Sequence, residues 1–162
     1  MAATAPAIFI KKIPTMQKLI LLTSFVLALA VSTHAQKSEI FQTSDGAIHG
    51  YDPVAYFKEG KAIKGDPRFV YTWKNSKWVF SSQKNLDLFK THPEQYAPQY
   101  GGYCAYGASL GHKASTDPQA FTVTAGKLYL NYDNSIKDKW LKDQTGYIQK
   151  ADKNWDAIKN KE

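Results

Sequence analysis

Hydrophobic and polar positions change period several times along this chain. Residues 19–31 form a nearly unbroken apolar run behind Lys11, Lys12 and Lys18, and Thr33-His34-Ala35 follows it. A basic segment, an apolar segment and a small residue before a cut site are the order of a secretory signal peptide. The run is shorter than the about 20 apolar residues that span a bilayer. Cleavage is expected after Ala35, with Gln36 as the first mature residue. Met16-Gln17-Lys18 and the run behind it already make a complete signal, so Met16 is the expected start of translation.

Beyond the leader the pattern alternates between short strand-like and short helix-like stretches. Residues 36–46 are polar and read as a flexible arm. Asp52 is expected to cap a short helix whose first residue is Pro53 and that Gly60 ends. Residues 69–73 and 77–80, rich in aromatic and β-branched side chains, predict a hairpin across Lys74-Asn75-Ser76. Ser81 or Ser82 then caps a helix with Leu86, Leu88 and Phe89 inward, and His92-Pro93 stops it. Residues 120–123 and 127–130 predict a second hairpin across Ala125-Gly126. Asp133 or Asn134 caps a helix to about Leu141. Gly146 is expected to separate it from a last helix with Tyr147, Ile148, Ala151, Trp155 and Ile158 on one face. The fold class is α+β: one small domain over residues 47–160 with two hairpins and several short helices. No internal repeat is evident beyond the doubled order of hairpin then helix.

Charge changes the picture little. The formal net charge of +7 falls to +4 once the three leader lysines are removed, and no dense basic block remains, so nucleic acid is not an expected partner. No cysteine lies near the cut to carry a lipid anchor. After cleavage no membrane span is expected, and the mature chain would be periplasmic or secreted. It holds a single thiol, Cys104, and no methionine, because Met1 and Met16 both fall in the leader.

Several stretches resemble the YHS domain family, and most closely its exported stand-alone members. They are Tyr51-Asp52-Pro53-Val54-Ala55-Tyr56-Phe57, Trp78-Val79-Phe80-Ser81-Ser82, Phe89, His92-Pro93-Glu94-Gln95-Tyr96 and Tyr100-Gly101-Gly102-Tyr103-Cys104-Ala105-Tyr106, with Leu128-Tyr129-Leu130-Asn131-Tyr132 behind them. The resemblance implies an association with metal. Metal-associated members carry cysteines at positions held here by Ala55, Ser81 and Asn85, which cannot form a thiolate cluster.

A metal would therefore need another site. Cys104 and His112 lie close together around the glycine-rich segment, and His49 and Tyr56 flank the Asp52 motif. These four are the candidate ligands, and a thiolate among them would select copper or zinc over magnesium or calcium. The alternative is that Cys104 packs as a small buried hydrophobe and that the many tyrosines form an aromatic face for a small ligand or a protein partner. A third reading makes Cys104, His112 and Asp117 a thiol-dependent catalytic set. The expectation is a non-catalytic binding domain.

Overall fold

The computed structural model describes residues 38–161, so the expected leader lies outside the described residues. Strands β1 (Gln42–Thr43) and β2 (Gly46–Ala47) form a minimal hairpin, followed by α1 (Ala55–Lys58). Strands β3 (Asp66–Trp73) and β4 (Ser76–Phe80) pair antiparallel. Helices α2 (Gln83–Thr91), α3 (Pro93–Tyr96) and α4 (Ala105–Ser109) come next. Strands β5 (Asp117–Thr124) and β6 (Lys127–Asn131) form the third two-stranded antiparallel sheet, and α5 (Asn134–Leu141) and α6 (Gln144–Ile158) complete the order. The fold is α+β.

Both long hairpins close through tight turns with two consecutive residues at positive φ, Lys74-Asn75 and Ala125-Gly126. That conformation matches the right-handed twist of the strands it joins. Each hairpin also carries a register shift near its start, between Asp66 and Val70 and between Asp117 and Phe121. Ser82 and Asp133 cap α2 and α5 by accepting from the N–H groups of Asn85 and Ile136, at 3.2 and 2.8 Å.

The core gathers in two clusters. Trp78, Phe80 and Phe89 pack with Val54, Tyr56, Leu128 and Leu130. Tyr100, Tyr129 and Trp140 pack with Ala105, Ala151 and Ile158. Phe89 and Trp140 are fully buried at matching places on α2 and α5.

Three expectations need correction. The arm is docked from Ser38 onward: Ile40 is buried, and Phe41 N–H donates to Gly101 O at 2.8 Å. The adjacent apolar pair Ile40-Phe41 anchors it. Gly146 lies inside α6 rather than before it. Its N–H donates to the capping carboxylate of Asp143, and a Cβ there would run into that carboxylate. The regular part of α1 begins at Ala55, two residues later than Pro53.

Candidate functional site

Asp52 is fully buried, and its carboxylate is saturated. Oδ1 accepts from the N–H groups of Val54 and Ala55 at 2.8 and 3.3 Å, so it does cap the turn leading into α1. Oδ2 accepts from Ser81 N–H, Ser81 Oγ and Asn85 Nδ2 at 2.8, 2.6 and 2.7 Å. Five donors substitute for the water a buried anion has lost. Ser81 and Asn85, at positions where the resemblance places cysteines in metal-associated members, thus donate to a buried carboxylate that already has five hydrogen bonds.

The open site lies around Cys104. The backbone reaches it through Tyr100, Gly101 and Gly102, all at positive φ, and Cys104 then caps α4. Its Sγ accepts from Gly107 N–H at 3.4 Å, and its thiol faces Asn131 Oδ1 at 3.7 Å. Asn131 Oδ1 also accepts from Tyr106 N–H at 3.3 Å. The thiol lines a cavity of about 280 Å³ together with His112, Gly107 and Ala114, and Leu110, Tyr132 and Ile136 supply apolar wall and rim. Leu110 and Tyr132 are 57% and 54% exposed, so the mouth opens to solvent through apolar side chains. Burial pushes the Cys104 thiol up, against the smaller downward pull of nearby backbone N–H groups, and it stays protonated at neutral pH.

Of the four expected ligands, the structure brings Cys104 and His112 into one cavity and leaves His49 and Tyr56 outside it. His49 Nε2–H donates to Thr116 O at 2.7 Å, and the ring packs against Phe41. The Tyr56 hydroxyl donates to Pro118 O at 3.1 Å, and burial pushes its phenol far up, so it is no anionic ligand. Among the described residues no group of three or more His, Cys, Asp and Glu side chains converges as a metal site would require. Asp117 spends Oδ1 on Gln119 N–H at 2.8 Å and does not line the cavity. No described helix is long and apolar enough to cross a membrane.

Sequence reasoning missed Leu110 and Ile136 and had Tyr132 only as one of many tyrosines on an aromatic face. Leu110 and Tyr132 carried one signal, as large side chains flanking the glycine-rich segment and β6.

Compared with known families, the YHS domain model matches residues 54–100. No curated protein and no solved structure matches the chain. The matched stretch begins two residues after Asp52, contains its partners Val54, Ala55, Ser81 and Asn85, and stops short of Cys104.

Proposed function

Since the chain carries a YHS domain, we propose that it is an exported, non-catalytic binding module whose site is the cavity around Cys104 and His112. The ligand is a small, mostly apolar, uncharged molecule with one polar head turned toward the thiol and imidazole. One observation carries this reading: a thiol and an imidazole share a single solvent-open cavity whose other walls are Tyr106, Gly107, Leu110, Ala114, Tyr132 and Ile136. Small-ligand sites have this character, apolar walls with few convergent polar groups.

Two features support binding rather than catalysis. A cysteine nucleophile works as the thiolate, and burial holds this thiol neutral. Its acid–base partner would also need an orienting third group, and Asp117 is engaged elsewhere.

The second reading is a soft metal ion, Cu(I) or Zn(II), held by Cys104 and His112. It is favoured by the presence of both donors in one cavity, and copper(I) tolerates few ligands better than zinc does. The mature protein is titrated with 2-naphthol by fluorescence, beside Ala114→Phe, which fills the cavity. Saturable binding weakened at least about tenfold by the substitution is expected, and equal binding by both proteins would sink the reading. Elemental analysis after incubation with reduced copper or zinc, on wild type and Cys104→Ser, tests the metal. One equivalent on wild type alone would put the metal reading first.

A further inference from the structure

The two halves of the described chain repeat one pattern of backbone hydrogen bonds. Ile48, His49 and Gly50 have φ of 45, 59 and 70°, and Tyr100, Gly101 and Gly102 have 53, 61 and 83°. Tyr51 N–H donates to Ile48 O at 3.2 Å, as Tyr103 N–H does to Tyr100 O at 3.0 Å. Asp52 N–H donates to Ile63 O at 2.9 Å, and Cys104 N–H to Ala114 O at 3.1 Å. Gly60 and Gly111 follow the short helices, both at positive φ. Asp-Pro opens both β3 and β5, with the aspartate accepting from the N–H two residues on, at 2.9 Å for Arg68 and 2.8 Å for Gln119. The register shifts, strand lengths and capped helices then coincide, and α3 and α6 start at matching positions. The spacing is constant apart from one residue lost in the second half, before Gly111.

We infer that the described part of the chain is two copies of one unit, the second starting at Tyr100, where the YHS match ends, and that the Cys104 cavity is the second copy's form of the space that the first fills around Asp52. This places Cys104 on Asp52, Tyr132 on Ser81, Ile136 on Asn85 and Asn131 on Phe80. It rests on the proposed reading only in calling the cavity a ligand site.

The equivalence accounts for both centres. In the first copy a single carboxylate oxygen takes the two N–H groups that open α1. In the second, that work is divided: Cys104 Sγ takes Gly107 N–H, and Asn131 Oδ1 takes Tyr106 N–H. This gives a reason for a fully buried asparagine at the end of β6, where the first copy has phenylalanine. The hydroxyl and amide that close the Asp52 knot become Tyr132, turned outward and half exposed, and Ile136, an apolar wall. Losing those two plugs opens the cavity, and losing the carboxylate removes its charge. Tyr132 and Ile136 are therefore the residues that set its specificity toward apolar, uncharged ligands.

The test rebuilds the first centre in the second, in the whole mature chain. Cys104→Asp alone buries a carboxylate without the hydroxyl and amide donors that Asp52 has and is expected to lower the melting temperature by roughly 10 °C. Adding Tyr132→Ser and Ile136→Asn supplies the donors and is expected to recover most of that loss. A triple variant no more stable than Cys104→Asp overturns the equivalence. If the carboxylate variants do not fold, Cys104→Asn with and without the same two changes gives the comparison without a buried charge, and no gain there overturns it equally. The triple variant is also expected to lose 2-naphthol binding, because a carboxylate and its polar partners replace the thiol and the apolar walls. Recovered stability with undiminished binding would overturn the assignment of the cavity and leave the equivalence of the two copies standing.

Discussion

Asp52 and Cys104 occupy comparable turns and resolve the same problem in opposite ways. Asp52 keeps a charge inside the protein by giving it five hydrogen bonds. Asp52→Asn would turn an amide donor toward Ser81 N–H or Asn85 Nδ2, and leaving such buried donors unmatched costs about 3 kcal/mol. Urea unfolding of the variant against wild type measures this, and a loss below about 1 kcal/mol would contradict the role given to the knot. Cys104 avoids the problem by staying neutral. Its thiol should react with iodoacetamide at pH 7.5 at least about tenfold more slowly than a free cysteine, whose thiolate fraction is larger. A fast reaction would reopen the catalytic reading. Cys104 and His112 were legible as a pair because they are near in sequence and chemically distinctive. Asn131 and Ile136 were not, and Tyr132 only as one tyrosine of an aromatic face, because they come beside the thiol only when β6 and α5 fold back beside α4. His49 and Tyr56 looked equally suitable as ligands, but what they bond, the carbonyls of Thr116 and Pro118, lies far away in the chain.

Elements followed local chemistry where that chemistry was strong. Both hairpins and the caps at Ser82 and Asp133 stand where aromatic alternation and capping residues placed them. The errors came where tertiary contact overrode composition. Gly146 has the composition of a break, yet it serves a helix start because Asp143 needs the space a side chain would take. Glycines at positive φ separate in the same way. A Cβ on Gly60 would meet nothing, so Gly60→Ala costs only the backbone strain, about 1 kcal/mol. A Cβ on Gly101 would collide with the Glu39 carbonyl and meet Ile40, so Gly101→Ala should cost about 3 kcal/mol or more. Thermal unfolding of the two variants side by side decides. Equal losses would mean that the segment around Glu39 yields freely, and that the docked N-terminal residues contribute little.

Across the whole molecule, aromatic burial sets the response to pH. Burial pushes the phenols of Tyr56, Tyr100, Tyr103 and Tyr129 up, and the Cys104 thiol with them. Below the pH at which an unfolded cysteine or tyrosine ionises, about 8.5 and 10, both states hold these protons and the shifts have no effect. Above it the unfolded chain releases protons that the native protein keeps, so stability falls as pH rises toward the folded values. The urea midpoint should drop between pH 9 and 11, and a flat profile would contradict the burial of these rings. The repeated architecture was only half legible: the order of hairpin then helix was visible twice, but the equivalence of an aspartate with a cysteine, and of serine and asparagine with tyrosine and isoleucine, is a matter of hydrogen-bond position rather than residue type. The most direct measurement is a titration of the ¹⁵N-labelled mature protein with 2-naphthol, followed residue by residue by NMR. A binding module centred on Cys104 predicts shifts confined to Gly107, Leu110, His112, Tyr132, Ile136 and their neighbours. Shifts confined instead to the groove between Trp73, Tyr100 and Trp155, or no shifts at all, would contradict it.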